Sequence, residues 1–420
     1  MKTPYGHLTY CSNIHAGESW KDHFAQLKKY IPHIKQEASP HQPFGIGLRL
    51  SNIASLELEW EENMEAFKQW LQQEDCYVFT MNGFPYGSFH HTRVKDQVHA
   101  PDWTNYDRFQ YTLRMAWLLA ELLPEGMDGG ISTSPLSYQF WHEPEQMDEV
   151  FVKATKHILG VVEELIQIKD VTGKMIHLDI EPEPDGLLGE SEAFFEWYTQ
   201  YLLPMGIDYL HDQFGYGETQ AVAAIKEHVQ LCYDICHFAV CYEDHAAVLE
   251  KLRKLGIKTG KIQISAALKG AFCQDLQMRG AVVDAFEDIN ESTYLHQVVA
   301  MQKDGSLIRY PDIPIALKDA ANEFTTEWRA HFHVPLFVDH YGVLGSTQKD
   351  IEQVLQLHQQ QPFTTHLEIE TYTWEVLPGD MRLPIEDSIV RELEWVQGLL
   401  KRKSTSAATN QAASNQTYHA

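Results

Sequence analysis

This chain is short of cations. Its 420 residues include 33 Lys and Arg against 59 Asp and Glu, a formal net charge of −26. Such a surface repels phosphate backbones and anionic headgroups, so neither nucleic acid nor an anionic membrane surface is an expected partner. Long apolar runs are lacking too. No run of about 18 apolar residues occurs, so no transmembrane segment is expected. Met1–His7 lacks the apolar core of a secretory leader, which makes a cytoplasmic protein the expectation. Neither G-x-G-x-x-G nor G-x-x-x-x-G-K-[ST] is present, which removes the usual phosphate-cradling turns. Cysteine is sparse and has no framework spacing. The six thiols, Cys11, Cys76, Cys232, Cys236, Cys241 and Cys273, are expected to be reduced. The spacing of Cys232, Cys236 and Cys241 would suit a soft metal, but strand alternation puts them in a barrel wall.

Apolar residues, at 44%, are ample for a large core. Four short runs then stand out: His177–Glu181, Tyr233–His237, Lys261–Ser265 and His366–Glu370. In each, alternation by two puts apolar side chains on one strand face and polar ones on the other. Carboxylates and an amide thus collect at successive strand ends. Buried carboxylates need a partner charge or a metal.

The chain alternates strand and helix. Leu8–Ser12, Phe44–Ser51, Tyr77–Met81, Gly129–Ser132, Met175–Glu181, Val229–Ile235, Lys261–Ser265 and His366–Glu370 are the expected strands. Helical spacing marks Glu59–Gln73, Tyr106–Leu123, Met147–Ile168, Asp244–Leu255, Thr347–Gln359 and Ile385–Leu400. Gly173 and Gly256 punctuate two of them. Eight such units imply a parallel sheet closed as an α/β, (β/α)8 TIM barrel in a single domain, 1–403. Residues 266–345 exceed one helix and its loops, and predict an insertion over the carboxyl-terminal face between strands seven and eight. Within it, Thr293–Met301 and Ser306–Tyr310 predict a hairpin, and Trp328–Phe337 a further strand. The polar stretch 404–420 is expected to be disordered.

Glu181, Asp234, Gln263 and Glu370 offer three carboxylates and an amide from four consecutive strands. Such oxygen donors suit one divalent ion (Mn²⁺, Mg²⁺ or Co²⁺, with Zn²⁺ if His237 joins). A metal on two neighbouring substrate oxygens acidifies the C–H between them. Glu181 and Glu370 are placed to move that proton. His237 is either a ligand or a contact to substrate.

The same residues resemble the xylose-isomerase-like barrel superfamily. Leu178–Pro184 is similar to its fifth-strand glutamate motif, Tyr233–Ala239 to its Asp-x-Cys-His-x-Ala element, and Glu368–Thr371 to its eighth-strand glutamate. Gln263 stands where many members carry His. Tyr10–His15, Asn82–His90, Pro101–Trp103, Ile131–Pro135 and His331–Pro335 together resemble the EboE family of metabolite traffic proteins. That resemblance implies handling or export of a secondary-metabolite precursor beside proteins of the same gene cluster, and implies no particular reaction. Endonuclease-IV-type relatives need more His ligands than Leu48–Ser51 and Thr80–Asn82 provide.

Asn82 is expected to contact substrate. His331 and His333, two apart on one strand face, are extra ligands or an acid/base pair. Arg49 is in an internal salt bridge or faces a substrate carboxylate. Three functions stay open. The first is a metal-dependent isomerase or epimerase acting on a sugar-like or keto/hydroxy small molecule. The others are a non-catalytic metabolite carrier and a metal-dependent hydrolase with two ions.

Overall fold

The computed structural model describes residues 1–87, 95–290, 294–374 and 382–402. Eight parallel strands form its centre: β1 (Gly6–Tyr10), β2 (Phe44–Arg49), β3 (Cys76–Asn82), β4 (Asp128–Thr133), β5 (Met175–Ile180), β6 (Val229–Asp234), β7 (Thr259–Ile264) and β8 (His366–Ile369). Each overlaps a strand expected from the sequence. The order β1-β8-β7-β6-β5-β4-β3-β2 leaves β1 and β2 as the two ends, with the short strand Lys2–Thr3 paired antiparallel outside β1. Helices follow the strands, so the architecture is an α/β barrel.

The apolar face of each strand points outward. Ile176, Leu178 and Ile180 of β5, Ile262 and Ile264 of β7, and Leu367 and Ile369 of β8 all join the main hydrophobic cluster. The inward face is polar. Thr9, Asp179, Lys261, Gln263 and Glu368 are each wholly buried. Lys261 Nζ donates to Glu368 Oε2 at 2.7 Å across the interior. Glycines make the room. A Cβ on Gly47 would land on Glu368 Oε1, and one on Gly260 would land on the Asp179 carboxylate.

Closure between β1 and β2 depends on hydroxyls. Only the bridge Cys11↔Gly47 joins the two strands as a backbone pair among the described residues. Thr9 Oγ1 donates to Gly45 O at 2.7 Å and accepts from Gly47 N at 3.1 Å. Ser12 Oγ accepts from Arg49 N at 2.8 Å. The side chains thus replace ladder bonds that the backbones are too far apart to make.

The expected helices are present with small end shifts, as Tyr106–Leu122, Met147–Thr172, His245–Leu255, Gln348–Gln360 and Ile385–Lys401. Gly173 and Gly256 end theirs at φ 75° and 63°, the left-handed region that suits glycine. The expected Glu59–Gln73 helix is present as Glu61–Gln73, and a further helix, Asn52–Leu58, precedes it. The helix Trp20–Ala38 was not expected, and it carries Pro32 within it. Ser191–Trp197, Leu203–Phe214, Glu218–His228 and Leu276–Asp288 are also helices beyond those expected.

Between β7 and β8 lies a second, antiparallel sheet. Its order is Leu307–Tyr310, Val298–Gln302, Thr325–Ala330, Leu268–Ala271, Leu344–Ser346, His340–Tyr341. The strand expected over Trp328–Phe337 ends instead at Ala330, because its partner strand begins at Val298, paired to Ala330. From His331 the chain turns to the barrel mouth, where Val334 N donates to Ala266 O at 3.0 Å. Cys232 stands on β6, but Cys236 and Cys241 do not: β6 stops at Asp234 and a short helix, Ile235–Val240, follows. Expectations on Ser88–His90, Thr293 and 404–420 fall outside the described residues. No helix of the described residues is long and apolar enough to cross a membrane.

Replacing Thr9 by Val keeps the shape and leaves Gly45 O and Gly47 N without that partner. Burial of those groups predicts a loss of about 1–3 kcal/mol. Urea unfolding measures it, and an unchanged midpoint would refute the seam account.

Candidate metal centre at the carboxyl end of the barrel

Glu181, Asp234 and Glu370 sit at or just past the ends of β5, β6 and β8, and one oxygen from each lies within 4.8 Å of the others. All three are buried, at 2%, 0% and 5% exposure. Burial first, then repulsion from Glu370 and Asp234, pushes Glu181 well above the usual carboxylate range. Burial followed by repulsion from Asp234 does the same to Glu370.

Three imidazoles join them. His237 follows Asp234 on the short helix that Asp234 caps, its carboxylate accepting from His237 N at 3.1 Å. His331 and His333 arrive on the segment that leaves the second sheet. Burial keeps all three neutral: His333 falls to about 4, His237 is lowered and His331 more so. Each has its Nδ1 engaged. His237 Nδ1 meets Pro182 O at 2.9 Å, His331 Nδ1 meets Gln297 Oε1 at 2.7 Å, and His333 Nδ1 meets Glu370 O at 2.9 Å. Those carbonyl acceptors assign the proton to Nδ1 and leave a lone pair on every Nε2.

The lone pairs then lack donors. His237 Nε2 and His331 Nε2 face each other at 3.1 Å. His333 Nε2 lies 3.8 Å from Asp234 Oδ2, and both atoms are buried without a hydrogen bond. Glu183 Oε2 is another such atom. Glu183 forms a second group of potential ligands with His237 and His331, and burial raises its carboxyl to about 8. Buried acceptors facing acceptors are costly without a proton or cation between them. Oxygen and imidazole donors fit a divalent ion of the Mn²⁺, Co²⁺ or Zn²⁺ kind.

The two expected catalytic glutamates differ in support. Glu370 Oε1 accepts from Asn13 Nδ2 at 2.6 Å and Asn82 Nδ2 at 3.0 Å, and its Oε2 accepts from Gln263 Nε2 at 2.7 Å. Among the described residues Glu181 accepts a hydrogen bond only from the Cys232 thiol, at 3.7 Å. Gln263 therefore turns its nitrogen to Glu370 and its oxygen to Cys232, 2.7 Å away. In this arrangement it orients a ligand rather than presenting its own oxygen. Asn82 likewise faces Glu370. Arg49 does not line the cavity. Its guanidinium donates to Gly87 O at 2.5 Å and pairs with Glu18 at 3.4 Å, the internal alternative.

The cavity is small, about 60 Å³, and Phe84, Tyr294 and Tyr372 stand among its walls. Tyr372 stacks on His333 at 4.6 Å. Lys95, at the rim, pairs with Asp312 at 2.7 Å. Asn13, Glu183 and Gln297 were not expected in the site, nor was His99, whose Nε2 lies 3.6 Å from Glu183 Oε2. Asn13 and Glu183 lie within stretches the sequence did single out. His99 and Gln297 carry no local signal.

No family model matches the chain, and no curated protein does. The EboE resemblance therefore stands on its motifs alone. Among solved structures the chain is similar to a xylose isomerase domain protein from Alicyclobacillus acidocaldarius, at TM-score 0.45 and 10% identity over 94% of this chain and 98% of that one. It is similar to the IOLI protein with a binding zinc atom, at TM-score 0.44 and 12% identity over 94% and 98%. A D-tagatose 3-epimerase-like protein gives TM-score 0.47 and 10% identity over 94% and 97%. These likenesses concern the barrel fold, which this chain's own strand order and register establish.

Glu392, behind the site, accepts from Leu336 N and Thr371 Oγ1, each at 2.9 Å. Burial raises its carboxyl from 4.5 to about 8. Between those values the unfolded chain has released the proton and the folded chain holds it. Stability should therefore fall as pH rises from 4.5 to about 8. Glu392→Gln should flatten that slope, removing a fall of on the order of a few kcal/mol over the range. Denaturant unfolding at several pH values checks it, and an identical slope in both proteins would contradict the assignment.

Proposed function

We propose that this chain is a metal-dependent isomerase or epimerase acting on a polyhydroxylated or carbonyl-bearing small molecule. The observation that carries the reading is the mouth itself. Three buried carboxylates and three neutral imidazoles converge there, with Asp234 Oδ2 and His333 Nε2 left without hydrogen bonds.

Glu181, Asp234, Glu370, His237 and His333 would hold the divalent ion, which when bound supplies Lewis acidity toward two adjacent substrate oxygens. Asn13, Asn82 and Gln263 hold Glu370 in one orientation. Glu181, whose hydrogen bond comes from the thiol alone, is the freer carboxylate and the better proton-transfer group. Its proton affinity, raised by burial, favours a group that takes and returns a proton. His331, aimed at His237 Nε2, is placed to meet a substrate hydroxyl.

The cavity of about 60 Å³ favours a second reading. It holds on the order of two waters, so a sugar-sized molecule enters only if the walls move. A metabolite-handling protein of the EboE kind, which retains a site without turnover, is consistent with so closed a mouth. The Glu183, His237 and His331 group favours a third, two-ion hydrolase.

Elemental analysis of chelator-free protein decides among them when wild type is compared with Glu181→Gln/Glu370→Gln. The expected difference is one divalent ion per chain. With it should go exchange of a substrate C–H for solvent deuterium, followed by NMR over candidate sugars and keto acids. A difference of two ions would move the reading to hydrolysis. No difference after dialysis against Mn²⁺ or Zn²⁺ would overturn the catalytic reading and leave the carrier.

A further inference from the structure

The opposite end of the barrel holds another cluster that the chemistry above does not use. Asp128 opens β4, His177 lies on β5 and His366 opens β8. Strands β6 and β7 separate β5 from β8 in the sheet, so these side chains meet across the interior. His177 Nε2 lies 3.7 Å from Asp128 Oδ2, and His366 Nε2 lies 3.6 Å from Asp128 Oδ1. One ligand atom from each lies within 4.8 Å of the other two.

Two further observations point to a ligand. His366 is wholly buried, yet neither of its ring nitrogens makes a hydrogen bond. His177 Nδ1 is held by Asp179 Oδ1 at 2.6 Å. That contact holds Nδ1 and turns Nε2 toward Asp128, the carboxylate–imidazole arrangement that supports metal-bound histidines. The backbone is shaped around this carboxylate. A Cβ on Gly260 would collide with Asp179, and one on Gly130 would lie 2.5 Å from Asp179 Oδ2. Access comes from one side. Asp128 is about half exposed, and Asp128 and His177 line a groove of about 890 Å³ with Gln230, Arg253 and Thr365.

We propose that His177, His366 and Asp128 form a divalent-cation site of zinc type at the amino-terminal end of the barrel, with its remaining coordination position open to this groove. Two imidazoles and one carboxylate suit Zn²⁺, and three protein ligands leave a fourth position for water or an anionic group from the groove. The ion would tie β8 to β4 and β5 across the interior. The site is independent of the reading proposed for the mouth.

The test uses the full chain carrying Glu181→Gln/Glu370→Gln, so that ions at the mouth do not obscure the count. After equilibration with Zn²⁺ and gel filtration, one zinc per chain should remain. Adding Asp128→Asn or His366→Asn should abolish it, and Asp179→Asn should weaken zinc affinity about 10–100-fold. Zinc-edge anomalous scattering from zinc-soaked wild-type crystals reads the same site without any variant, and a peak among the three side chains is expected. No retained zinc, zinc indifferent to Asp128→Asn and His366→Asn, or no anomalous peak there would overturn the proposal.

Discussion

The ion pair between Lys261 and Glu368 is the interaction on which the rest of the barrel depends. Both side chains are wholly excluded from solvent, and the ammonium also reaches Met81 O at 3.3 Å. Barrels of this kind usually fill their interior with branched aliphatic residues. Here the strands turn their apolar faces to the helices and leave a polar column inside. Such a column is stable only if charges are paired where they lie, because removing one partner strands the other in a medium that solvates it poorly. Gly47 shows how closely the backbone is fitted to the pair, since any side chain there would displace Glu368.

That pair divides the column. Below it, burial is the largest single influence on His177 and lowers it, but Asp179 and Asp128 together outweigh burial and raise it to about 9. Above it, Lys261 favours the ionised forms of Glu181 and Glu370, but burial and mutual repulsion outweigh it. The mouth is thus the part of the interior whose charges the protein leaves least balanced. The seam between β1 and β2 serves the same end. Ser12, which replaces a ladder bond there, precedes Asn13, which fixes Glu370.

Strands and their inward residues were legible because a period of two, repeated in one register, leaves a signature in a single sequence. Glu181, Asp234, Gln263 and Glu370 are the last inward positions of their strands, and the structure brings them together. What the pattern could not reveal is direction within an amide. Gln263 offers either its oxygen or its nitrogen, and only the positions of Cys232 and Glu370 decide. His99 and Gln297 were illegible for another reason. His99 ends a short 3-10 helix and Gln297 stands in the loop before the strand Val298–Gln302, where no periodicity ties them to the barrel. Trp20–Ala38 was obscured by Pro32, which ordinarily marks a helix boundary. Arg49 had two readings of equal standing, and tertiary contact with Glu18 and Gly87 chose between them.

The neutral imidazoles at the mouth bear most directly on chemistry. Were His237, His331 or His333 protonated, they would neutralise the carboxylates and close the site as a salt-bridge network. Burial prevents that, taking His333 to about 4. The fold therefore holds carboxyl groups of raised proton affinity and neutral imidazoles side by side. Pro182, Gln297 and the Glu370 carbonyl enforce this by occupying the Nδ1 positions. A donor set that is electron-rich on every side and rigidly oriented is poor as a structural core and well suited to an incoming cation. That contrast is the physical basis for reading the mouth as a metal centre rather than as packing.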